Sequence, residues 1–163
     1  MDQHVRGGFC LVTASAILLL LSISTVFAQT VQQHVRQMAH GVMPFDMEKT
    51  VHIFKMTESG GVQQVIAKDA GADDQIALIQ KHLEHEAERF QHGDYSDPAK
   101  LHGADMPGLQ DLRAGASAIK VSYATLSVGA EITFETTDLH LITAIHRWFG
   151  AQLSEHGADA KAE

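Results

Sequence analysis

Hydrophobic and polar positions along this chain alternate between two periods, and the switches mark its elements. In "KTVHIFKMT" (49–57) β-branched and aromatic residues dominate. "ESGG" follows as a turn, and "VQQVIAK" (62–68) reads as a return strand, giving a hairpin. From Asp73, a candidate N-cap, the period lengthens. Ile76, Ile79, Leu83, Ala87 and Phe90 fall on one helical stripe that ends at Gly93. The stretch 94–108, "DYSDPAKLHGADMPG", carries two prolines, two glycines and several short polar residues, and reads as a loop. A short helix follows Pro107.

Strict alternation then returns in 117–126, with Ile119, Val121 and Tyr123 on one face, and in 131–136, with Ile132 and Phe134 inward. Asp138 caps a last helix striped by Ile142, Ile145, Phe149 and Leu153, which stops at Gly157. Upstream, a short polar helix over about 30–39 stops at Gly41 and Pro44.

The order hairpin, helix, loop, hairpin, helix predicts an α+β domain. Two hairpins form a four-stranded antiparallel sheet with two long helices on one face, a ββα-ββα arrangement. Sliding the chain by 64 aligns His82 with His146 but sets Leu83 against Arg147. Sliding by 66 aligns Ile76, Ile79 and Leu83 with Ile142, Ile145 and Phe149 but loses the histidines. The architecture repeats; the residues do not.

The first 28 residues stand apart. A leader with Arg6, an apolar run from about Phe9 to Leu21, and Val26-Phe27-Ala28 before Gln29 form a secretory signal peptide. Ser15, Ser22 and Ser24 interrupt the run, which argues against a membrane anchor. The chain therefore divides into a signal peptide (1–28), one domain (29–160) and a tail (161–163) expected to fray. The expected location is periplasmic or secreted, with no membrane association after cleavage. The single cysteine, Cys10, leaves with the leader, which excludes disulfides, thiolate metal sites and cysteine catalysis in the mature chain. Cleavage removes Asp2 and Arg6, one charge of each sign, so the net charge stays at -8. Nucleic acid and anionic lipid are poor partners for such a chain.

Histidine is the unusual component: ten of the eleven lie beyond the leader. Four precede glycine. His92 and His156 read as last-turn residues before a helix-ending glycine, favoured by the helix dipole. His102, with Asp105 and Met106 in "HGADMPG", and His40, with Met43 in "HGVMPF", read as metal-ligand loops, or equally as tight turns with Met-Pro as a hydrophobic plug. Imidazole suits copper and zinc, and a thioether selects copper(I). His52 and His146 are expected to line a pocket for a metal cofactor, haem included. His82 sits at the edge of the helical stripe, His85 on a solvated face, His34 and His140 at the surface, and Trp148 in the core or a pocket wall. No GxSxG, P-loop or strand-to-helix GxGxxG is present.

The segments His40–Phe45, His52–Phe54, His102–Gly108 and Trp148–Ala160 carry a resemblance. They are similar to "HGxMPF", "HIF", "HGxDMPG" and "WFxAQLxxHGxDA" of a family of small exported bacterial proteins, often labelled aspartate carbamoyltransferase. The resemblance spans 38–160. The label does not suit this chain. Its mature part has only Arg36, Arg89, Arg113 and Arg147, none in a Ser-x-Arg-Thr-Arg phosphate loop, and is too short for two nucleotide-fold-like domains. The sequence points instead to an exported histidine-rich binding protein, for copper, zinc or haem, rather than an enzyme. The alternatives are a pH-responsive protein-interaction module, from histidines titrating near 6.5, and a small hydrolase with a base in 94–108.

Overall fold

The computed structural model describes residues 31–163; the expected signal peptide lies outside the described residues. Residues 31–39 form helix α1. A 3-10 turn at Met47–Lys49 leads into β1 (Thr50–Thr57) and β2 (Gly60–Ala67), followed by α2 (Asp73–Gln91). Two short helices, α3 (Ser96–His102) and α4 (Leu109–Ala114), precede β3 (Lys120–Leu126) and β4 (Gly129–Glu135). Helix α5 (Leu139–His156) and a short strand β5 (Ala160–Ala162) end the domain. Among the described residues no helix is long and apolar enough to cross a membrane.

The expected α+β class holds, and the sheet is larger than expected. Its order is β3-β4-β2-β1-β5, four antiparallel strands extended by one parallel strand. The tail expected to fray pairs with β1 instead, placing Ala160 opposite His52 and Ala162 opposite Phe54. Three residues carry no hydrophobic period, so this pairing has no local signature. Asp73 is the first helical residue of α2 rather than its cap, whereas Asp138 caps α5 by accepting from the His140 and Leu141 amides.

Strand alternation sends His52, Phe54, Val65, Ala130, Ile132 and Phe134 to one face, where both long helices lie. Phe90 of α2 packs on Phe134, and Phe149 of α5 on Phe54. Trp148 stands edge-on to Phe90, Tyr95 and Phe134, with centroids 5.5–5.7 Å apart. Each helix mainly covers the other half's hairpin: α2 lies over β3 and β4, and α5 over β1, β2 and β5. The hairpin turns at 58–59 and 127–128 are related by an offset of 69, but the starts of α2 and α5 by 66. In the second half the strand is one residue shorter and the strand-to-helix link two residues shorter, so no single slide aligns both.

Two glycines are fixed by close approach. Gly108, at φ +83°, lies against α5, where an added Cβ would fall 2.2 Å from the Ala144 carbonyl oxygen. A Cβ on Gly61 would stand 2.5 Å from the Phe149 ring. These contacts seat α5 on both α4 and the sheet.

Candidate functional site

All four His-Gly pairs terminate helices. Gly41 follows α1, Gly93 follows α2, Gly103 follows α3 and Gly157 follows α5, the last three with positive φ. The stretch 94–108 is therefore not a simple loop, because α3 occupies its middle. Its local signals mislead because Pro98 sits in the first turn, where a missing amide costs nothing. Arg89 of α2 holds this helix from outside the repeating pattern. Its guanidinium bonds Glu86 (2.7 Å), Asp94 (3.0 Å), Asp97 (2.5 Å) and the Ser96 hydroxyl.

The same dipeptide meets two fates. His40 and His92 end in solvent, and His92 Nδ1 lies 2.7 Å from the Glu88 carbonyl as a last-turn histidine should. His102 and His156 end helices whose last side chains are buried near His52 of β1. Together with His52 they make a buried group of three rings. His156 stacks on His52 with centroids 4.8 Å apart and meets His102 edge-on at 4.9 Å. His52 and His156 are each 1 % exposed, as is the His102 side chain.

A cavity opens beside this group, with an empty volume of about 440 Å³ including its mouth. His52, His102, His82 and Glu86 line it with Gln63, Gln152 and Trp148, against apolar walls from Phe45, Val65, Leu83 and Phe90. Four segments distant in the chain meet here: Met43 and Phe45 from 40–45, His52 from 52–54, His102 from 102–108, and Trp148, Gln152 and His156 from 148–160.

Hydrogen bonding sets the chemistry. His102 Nδ1 lies 2.7 Å from Glu155 Oε2. A carboxylate only accepts, so Nδ1–H donates and Nε2 keeps its lone pair. That Nε2, both ring nitrogens of His52 and both of His156 are buried without a partner in the protein. Nine buried side-chain polar atoms among the described residues lack partners. Six belong to residues lining the cavity and two more to His156. Buried polar atoms are normally paired, so such a concentration at one place marks a site rather than scattered defects.

Burial also fixes protonation. It pushes His102 down to about 4, and His156 to about 3 with help from His102. His52 is held well below its ordinary value by burial and then by its histidine neighbours. His82 falls to about 4, burial outweighing the Asp97 carboxylate. All four are neutral near pH 7 and present free lone pairs. Glu86 is pushed up to about 7 by burial, against the pull of Arg89.

The expected ligand set is divided by the fold. His102 and Met43 reach the cavity. His40 is exposed and lines a separate surface groove. Asp105 is exposed, and Met106 is 4 % exposed within the hydrophobic core. Of the two pocket histidines, His52 lines the cavity. His146 does not; its Nε2–H donates to the Thr57 and Gly60 carbonyls (3.0 and 2.8 Å) and ties α5 to the first hairpin. His156 escaped notice as a helix-ending residue. Its signal was the true α5 stripe, Ile145, Phe149, Gln152 and His156, which continues one turn past the last apolar residue. As the rings stand, no group of three or more His, Cys, Asp or Glu side chains among the described residues could hold a metal ion. No family model, curated protein or solved structure matches this chain.

Proposed function

We propose that this is an exported binding protein for a transition-metal ion, with His52, His102 and His156 as its ligands, and not an enzyme. One observation carries the reading: five buried ring nitrogens on three touching histidines have no partner in the protein. Neutral imidazoles are ready ligands. Glu155 on the far nitrogen of His102 is the carboxylate partner that orients metal-binding histidines and raises their basicity. The stacked rings show one another their faces, so binding requires His52 and His156 to turn about χ2. Cavity size favours an ion over haem, since the space open to a water-sized centre is only about 30 Å³, far below the roughly 300–1,000 Å³ of small-molecule pockets. Among the described residues no serine, threonine or cysteine lines the cavity to act with the Glu155–His102 pair, so the hydrolase reading has no nucleophile behind it.

The test is elemental analysis of protein purified without a tag, followed by titration of the metal-free form. Wild type should bind one ion per chain, and His102→Gln should lose that binding while His40→Ala and Asp105→Asn keep it. Wild type that takes up no copper, zinc, nickel or iron refutes the reading. The pH-responsive module has its own support in four buried neutral histidines. Partner binding that tracks pH and survives chelation would favour it.

A further inference from the structure

Charge around the three rings bears on which ion they accept, given the metal-binding reading above. Every nearby carboxylate is already engaged in a hydrogen bond or ion pair. Glu155 is bonded to the outer nitrogen of His102. Asp159 is clamped by Arg36 at 2.7 and 2.9 Å and by Gln32 at 3.3 Å. On the cavity's other side Glu86 pairs with Arg89, and Asp97 with Arg89 and Lys100. The donors that remain are uncharged: imidazole nitrogens, the Gln63 amide oxygen, and the Met43 thioether on the cavity wall.

A dication held by such donors keeps its whole charge inside an apolar shell. The cost of moving an ion out of water scales with the square of its charge, so a monovalent ion bears about a quarter of that penalty. Coordination number points the same way. Three ligands do not converge on one point, but His156 lies within 5 Å, centroid to centroid, of both His52 and His102. Zinc needs four donors in a structural site, or three and a water. Cuprous copper is stable with two or three and accepts both imidazole and thioether.

We propose that the cluster selects a monovalent soft cation, cuprous copper, with His156 as the shared ligand between His52 and His102 and Met43 beside them. No redox step is involved; the ion enters and leaves as Cu⁺.

The experiment is a competition titration of metal-free protein under anaerobic reductant, using a chromophoric Cu⁺ chelator, with Ag⁺, Zn²⁺ and Ni²⁺ in parallel. One Cu⁺ per chain is expected, with Ag⁺ competing and Zn²⁺ weaker by roughly 100-fold or more. X-ray absorption of the wild-type copper complex should show imidazole scatterers at low coordination number, a readout that needs no variant to fold. His156→Gln should weaken Cu⁺ by roughly 100-fold, and Met43→Leu should weaken Cu⁺ more than Zn²⁺. Zinc bound as tightly as Cu⁺, and lost in His156→Gln, would overturn the monovalent selection and leave the metal site standing. Failure to bind any of these ions would overturn both. Cu⁺ bound without imidazole scatterers would place it elsewhere on the chain and overturn the assignment.

Discussion

Acidification favours the unfolded chain, because the fold keeps buried histidines neutral that the unfolded chain protonates, and the cost can be worked from them. His82 and His102 titrate at about 4 in the folded protein and His156 at about 3. In the unfolded chain each titrates near 6.5. A folded value below the unfolded one means stability that is complete above about pH 6.5 and is lost as pH falls toward the folded values. At pH 5 each of the three costs about 2 kcal/mol, or about 6 in total. His52 adds to this in the same direction. Glu86 has the opposite sign. Its folded value near 7 lies above its unfolded one, so protonation on acidification returns about 2 kcal/mol. The net loss between pH 7.5 and 5 is about 4 kcal/mol, comparable with the roughly 5–15 kcal/mol that holds a domain together. The assay is urea unfolding of metal-free protein, followed by the fluorescence of Trp148, the chain's single tryptophan and 1 % exposed. His156→Phe should remove about 2 kcal/mol of the pH dependence. A loss below about 1 kcal/mol across this window, or an unaltered slope in His156→Phe, would refute the account of the buried rings.

Other consequences follow from single contacts. Arg36→Ala leaves Asp159, whose side chain is 4 % exposed, with only Gln32; since Arg36 is 38 % exposed, the expected loss is about 2 kcal/mol, read by urea unfolding. Hydrogen exchange should then speed up in 31–39 and 160–162 together. Gly108→Ala places a Cβ against the Ala144 carbonyl at a left-handed φ, and should cost about 3 kcal/mol or more in the same assay. His146→Ala removes the bridge to the Thr57 and Gly60 carbonyls and should cost about 1 kcal/mol, with metal affinity unchanged in titration. Glu155→Gln keeps the shape but not the charge behind His102, and should weaken metal binding roughly 10-fold.

Legibility in the sequence followed the range of the interaction. β3 and β4 were readable because Val121, Tyr123, Ile132 and Phe134 alternate within a few residues, and α2 because five apolar positions share its face. β5 was not, because Ala160–Ala162 is ordered by β1 and by the Arg36–Asp159 clamp, both distant in the chain. The α5 stripe was misplaced toward Ile142 and Leu153, since Gln152 and His156 are polar residues on the buried side. His92-Gly93 and His156-Gly157 are legible as helix ends, whereas His40-Gly41 and His102-Gly103 end helices that the sequence presents as ligand loops. What the dipeptide does not encode is where a helix end points. That direction, set for α3 by the Arg89 network and for α5 by Gly61 and Gly108, separates His102 and His156 from His40 and His92.

The His52–His156 stack joins the domain's first strand to the end of its last helix, and so encloses most of the fold within a single ring-to-ring contact. Contacts of such sequence separation form late, after both hairpins and both long helices have come together. A partly synthesised chain therefore holds no assembled cluster. On the proposed metal-binding reading, an ion held at these rings would mark completed folding and would add RT ln(1 + [L]/Kd) to the stability of the closed domain.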